Sequence, residues 1–160
     1  MMDYLTVKWL HIVSSTILFG TGIGSAFYML ATSLSADART TANVVRLVVL
    51  ADWIFTTPAI ILQPLTGFYL IHLAGYPLTQ GWIAWSIALY LLAGACWLPV
   101  VWLQIRMHRM AAQAADGHQR LPALYWRYLR YWILLGIPAF ISLLCVFYLM
   151  TVKPLNTVII

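Results

Sequence analysis

Four long stretches of mainly apolar residues run through this chain, at about 4–31, 44–73, 82–105 and 125–152. A helix needs about 20 apolar residues to cross the hydrocarbon core of a bilayer, and each stretch reaches that length. No water pairs with backbone N–H and C=O groups at that depth, so such segments close their hydrogen bonds internally, as helices. The composition agrees, with 63% hydrophobic residues, 8% charged residues and a mean hydropathy of +0.87. Soluble domains are about one quarter charged. A water-soluble monomer is therefore excluded, and so is disorder, which needs low hydrophobicity and high charge. The expectation is one all-α, multi-pass membrane domain over 1–160. Its short connections favour an antiparallel four-transmembrane-helix bundle.

Orientation follows from the cations. Arg106, Arg109, Arg120, Arg127 and Arg130 surround the third connection against one Asp116, and Arg39 and Arg46 flank the first against Asp37. The second connection, about 74–81, has neither Lys nor Arg. Cytoplasmic loops carry the Lys and Arg excess. The first and third connections are thus expected in the cytoplasm, and both termini in the periplasm, of a bacterial inner membrane. The surplus of nine Lys and Arg over four Asp reads as topogenic charge facing anionic lipid, not as a nucleic-acid surface. The first stretch exceeds the roughly 7–15 apolar residues of a secretion signal and is read as a retained helix.

Aromatic residues mark the interfaces. Tyr4 and Trp9 open the first span, Trp82 and Trp85 the third, and Tyr125, Trp126, Tyr128, Tyr131 and Trp132 the fourth. The third helix is expected to run past its span and stop near Gly117. Cys96 and Cys145 lack metal spacing and read as small hydrophobes.

Helical periodicity sorts the polar residues into faces. Lys8, His11 and Ser15 share a stripe on the first helix, and Gly20 and Gly24 form a GxxxG pair that permits close helix approach. Asp52, Thr56, Gln63 and Thr66 form a stripe on the second helix, interrupted by Pro58 and Pro64. Proline inside a span frees carbonyls that neighbours must satisfy. That stripe reads either as the wall of an internal site or as an interhelical hydrogen-bond seam. Asp52 and Arg130, at similar depth, are expected to form a buried ion pair. His11 and His72 fall toward the same outer side, as a bis-histidine haem would require. His72 lies nine residues from Gln63, however, on the opposite face of an ideal helix.

Lys8-Trp9-Leu10-His11-Ile12, Asp52 to Pro58, Gln63 to Gly67 and Val152-Lys153-Pro154 together resemble an uncharacterised family of bacterial four-helix integral membrane proteins, over nearly the whole chain. A more distant resemblance is to HemJ-type protoporphyrinogen oxidases, through Lys8 to Ile12, Thr66-Gly67, Gly81-Trp82 and Val152-Lys153-Pro154. That resemblance implies haem b or another tetrapyrrole with His11 as iron ligand. The chain departs from the pattern at Trp85-Ser86, where a lysine is expected, and at Leu135-Gly136, where Asn-Glu is expected. A shared fold with a different activity follows.

Three functions emerge. One is a redox protein with a tetrapyrrole in the outer half, held by His11 or His72, with Lys8 and Lys153 beside the propionates and Tyr4 and Trp9 beside the ring. Another is a cofactor-free subunit that anchors a partner, as a homodimer or in a larger membrane complex. The third is a small permease built on Asp52, Gln63 and the proline kinks.

Overall fold

The computed structural model describes residues 3–154, so the outermost ends of the expected 1–160 domain lie outside the described residues. Four helices fill the described residues: α1, Tyr4–Ser35; α2, Ala38–Ala74; α3, Gly81–Asp116; and α4, Ala123–Val152. All four are long and apolar enough to cross a membrane. Each extends beyond its apolar stretch at one end or both, because local capping, not hydropathy, sets where a helix stops.

The first connection shows this. Ala36 adopts a left-handed conformation (φ 57°) that closes α1, and Asp37 then caps α2 by accepting from the Thr40 amide at 2.8 Å. Two residues make the whole turn, so α2 starts six residues before its apolar stretch. Bonds from Thr40, first its side chain and then its backbone amide, hold the exposed Asp37 carboxyl below its ordinary value of 3.8. A carboxyl lowered on folding stabilises fully above the unfolded value, and that support is lost as the pH falls through the lower folded value. Protection of the first α2 amides, corrected for intrinsic exchange, is therefore expected to decline below about pH 3.8. Asp37→Asn should keep the cap and abolish the pH dependence in hydrogen exchange.

At the other end of α2, Gly75 takes φ 71° and the Tyr76 amide reaches back to the Ile71 carbonyl at 3.2 Å. This is the wrap that favours glycine just past a helix. α3 runs past its apolar stretch and ends at Asp116, beside Gly117, as its sequence predicts. Gly117 stays at φ −83°, and it is His118, at φ 51°, that turns left-handed, with the Gln119 amide bonding the Ala114 carbonyl at 2.8 Å.

The largest buried cluster lies at one end of the bundle. Met29, Val45, Met107 and Tyr125 are fully buried in a core joined by Ala42, Leu103, Leu129 and Trp132, all toward the arginine-bearing connections. Tyr125 bonds Ser33 across the helices at 2.6 Å, and Ser33 donates to the Met29 carbonyl. Three members of the expected aromatic belt, Trp82, Tyr125 and Trp132, are buried instead of meeting headgroups. Toward the other end the helices separate into two pairs, α1 with the second half of α2, and α3 with α4. There α1 and α4 touch chiefly through Phe19, stacked on Phe140 at 5.2 Å and edge-on to Phe147 at 5.2 Å. The GxxxG pair makes no such approach, since a Cβ at Gly20 or Gly24 would meet nothing within 4 Å.

Candidate functional site

Proline shapes α2 where it faces its neighbours. Pro58 has no N–H for the Ile54 carbonyl, and its ring would press on that carbonyl in a regular helix. The chain widens instead into a π-helical turn over Asp52–Thr56, in which the Thr57 amide reaches the Asp52 carbonyl; the Thr57 hydroxyl donates to it too, at 2.9 Å. Pro64 likewise leaves the Ile60 carbonyl without its helical donor. The Tyr90 hydroxyl of α3 supplies the missing bond at 2.5 Å. A neighbouring helix has taken over a backbone bond that the proline abolished.

Between the two helix pairs lies a cavity of about 480 Å³. Leu18, Phe19 and Phe27 of α1, Ile60 of α2, and Ile137 and Phe140 of α4 give it apolar walls. Phe27, Ile137 and Phe140 are also exposed, so the cavity opens between α1 and α4 toward the side that faces lipid. Asp52 and Thr56 enter it from the π turn, Trp97 and Gln104 from α3, and Trp132 from α4. Thr56 donates to one Asp52 oxygen, Oδ1, at 2.9 Å. The Gln104 side chain stands beside Asp52, but the other oxygen, Asp52 Oδ2, makes no contact of hydrogen-bond geometry, nor do Gln104 Oε1, Trp97 Nε1 or Trp132 Nε1. The described residues contain five buried side-chain polar atoms without a partner, and four of them belong to the wall of this one cavity. Leaving one such atom unpaired costs about 1–3 kcal/mol. Two acceptors and two donors thus share a largely apolar space.

The rest of the polar stripe does something else. Gln63 Nε2 donates to the His11 carbonyl at 2.9 Å and to Ser14 Oγ at 2.5 Å, and His11 Nδ1 lies 2.7 Å from Thr66 Oγ1. Thr66 already donates to the Leu62 carbonyl at 2.6 Å. With its only proton there, it accepts from His11 Nδ1–H, an assignment that leaves Nε2 as the nitrogen with the lone pair. The His11 ring lies against α2 at Gly67, where a Cβ would stand 3.4 Å from it, an ordinary packing distance. Asp52 and Thr56 therefore line a cavity, while Gln63 and Thr66 join α2 to α1.

The remaining expected site residues are scattered. His72 is exposed and makes no contact with His11, because it lies on another face of α2. Lys8 Nζ sits 5.9 Å from the Tyr4 ring, and Trp9 is 61% exposed. Lys153 Nζ packs on Tyr76 at 5.9 Å and Trp82 at 5.7 Å. The Asp52–Arg130 pair is not formed: Asp52 is engaged by Thr56 and turned into the cavity, whereas Arg130 is exposed on α4. An exposed guanidinium keeps its water and headgroup contacts, which a buried pair would sacrifice. Among the described residues no group of three or more His, Cys, Asp or Glu comes together that could hold a metal ion. The cavity wall has no histidine, cysteine or methionine to ligate a haem iron. Tyr90, Trp97 and Gln104 escaped sequence reasoning. Their signal is a polar atom inside an apolar run, which burial leaves in need of a partner.

No curated protein and no solved structure matches this chain. A family model described as predicted integral membrane protein (DUF2269) matches residues 5–154, and the chain belongs to that family.

Proposed function

We propose that this protein is a multi-pass binding protein of the bacterial inner membrane, with both termini periplasmic, that takes a lipophilic molecule sideways from the bilayer. The observation that carries this reading is the convergence of Asp52 Oδ2, Gln104 Oε1, Trp97 Nε1 and Trp132 Nε1 on one apolar cavity open between α1 and α4. Apolar pockets with a few convergent polar groups are the usual form of small-molecule sites. The acceptors call for a ligand head that donates a hydrogen bond, such as an alcohol, phenol or amine. The indoles call for an acceptor lone pair on the same head. The apolar walls call for a hydrocarbon body.

The experiment is extraction and mass spectrometry of lipids retained by protein purified in mild detergent. Wild type is expected to enrich one hydroxyl- or amine-bearing lipophile over the bulk membrane. Gly94→Phe should lose it, because a Cβ at this cavity-lining glycine has open space around it and the ring would fill the site. Bulk lipid composition in both proteins would overturn the reading.

A second reading keeps His11 as the axial ligand of a tetrapyrrole docked outside this cavity. It is favoured by the Thr66 bond, which holds the ring and leaves Nε2 with its lone pair. The same preparations supplied with haem test it. A Soret band lost in His11→Ala supports it, and no Soret band in folded wild type removes it.

A further inference from the structure

The arginine-bearing end of the molecule holds a second concavity, about 300 Å³, between α3 and α4. Arg106, Arg109, Met110 and Gln113 line it from α3 at the i, i+3, i+4, i+7 spacing of one helix face, and Leu124 and Tyr128 close it from α4. The Arg106 guanidinium lies 5.3 Å over the Trp102 ring, and that ring meets Tyr128 at 5.8 Å. An arginine, an indole and a tilted phenol therefore pack in series beside the groove. Trp and Tyr collect at the headgroup level of a bilayer, which places the groove at that depth.

The groove has two guanidinium groups and no carboxylate on its wall. The chain has little to offer them elsewhere. Of its four acids, Asp37 caps α2, Asp52 is buried in the cavity, Asp3 opens the chain far along α1, and Asp116 lies about 10 Å beyond Arg109 at 1.5 Å per residue. Guanidinium forks match phosphate oxygens in geometry and charge. The Tyr128 hydroxyl and the Gln113 amide add neutral donors, while Met110 and Leu124 provide apolar walls beside them.

We propose that this groove binds the phosphodiester headgroup of an anionic phospholipid, with the acyl chains running along α3 and α4. The apolar walls distinguish a lipid from free phosphate, which has no use for them. The site is separate from the intramembrane cavity and does not rest on its ligand.

Native mass spectrometry of the full chain in neutral detergent, titrated with phosphatidylglycerol, tests it. Wild type is expected to bind phosphatidylglycerol well above phosphatidylcholine. The double variant R106Q/R109Q should bind it about thirtyfold more weakly, from about tenfold or less per arginine near a charged surface. R39Q/R120Q removes the same charge from exposed arginines of the same side outside the groove, and should stay within about threefold of wild type at physiological salt. Millimolar inorganic phosphate should not compete. Equal losses in the two double variants would reduce the effect to diffuse charge and overturn the site. Competition by inorganic phosphate would overturn the lipid as occupant. Should R106Q/R109Q fail to fold, Tyr128→Phe keeps the ring against Trp102 and is expected to weaken binding about fivefold; wild-type affinity in that variant would equally overturn the proposal.

Discussion

Tyr125→Ala is expected to destabilise the folded bundle by about 3–5 kcal/mol, the range for deleting a large aromatic side chain from a packed core. Tyr125 is fully buried among α1, α2 and α3, and its hydroxyl bonds Ser33 at 2.6 Å. The variant removes the ring from the core in which Met29, Val45 and Met107 are also fully buried. In a membrane, helices are held together mainly by such packing, because lipid tails are as apolar as the core itself. Tyr125→Phe should cost far less, about 1 kcal/mol, since Ser33 keeps its bond to the Met29 carbonyl. Denaturation in mixed micelles with a helix-content readout separates the two. Similar losses in both variants would show that the hydroxyl, and not the ring, holds this end.

The second large effect belongs to Tyr90 and Pro64, which act as a pair although they do not touch through their rings. Tyr90→Phe leaves the Ile60 carbonyl unpaired next to a proline that cannot serve it, at an expected cost of about 1–3 kcal/mol. Pro64→Ala restores a backbone N–H at the position that normally bonds Ile60. In that background Tyr90→Phe should cost only a few tenths of a kcal/mol. A double-mutant cycle measures the difference, which should exceed about 1 kcal/mol because the two groups share one acceptor. A cycle that closes to zero would mean that the Ile60 carbonyl finds another donor, and the bridging role of Tyr90 would fall.

These residues also show how far the sequence reaches. Apolar runs of about 20 residues can only be helices in a bilayer, so the four spans are legible from composition and length alone. Pro58 and Pro64 announce broken backbone bonds by their chemistry, and a polar stripe on α2 is visible from its spacing. The core was less legible. Tyr125 and Trp132 carry the same interfacial signature as Trp126 and Tyr131, and only the packing of α4 on α3 turns one set inward.

The Asp52 stripe shows the same limit at the candidate site. Its residues share a face, but a face does not name its neighbour. Thr66 and Gln63 meet α1 through hydrogen bonds to His11 and Ser14. Asp52 and Thr56 meet a cavity because the helix pairs have separated at their depth. The expected Asp52–Arg130 pair failed for that reason: depth is readable from residue count, whereas the direction in which α4 presents Arg130 is not.

The sequence by itself determined the class of fold, the number of spans, the side that bears the arginines and the places where α2 cannot be a regular helix. These follow from local quantities: hydropathy summed over a window, charge per loop, and a missing N–H. The tertiary structure alone decided which polar atoms stay unpaired, that four of them face one cavity, and that Tyr90 mends the bond lost at Pro64. Those facts depend on how four nearly uniform apolar cylinders are rotated and splayed against one another. Many rotations bury similar apolar area, so hydropathy barely separates them, and a few specific hydrogen bonds and close-packed side chains select among them.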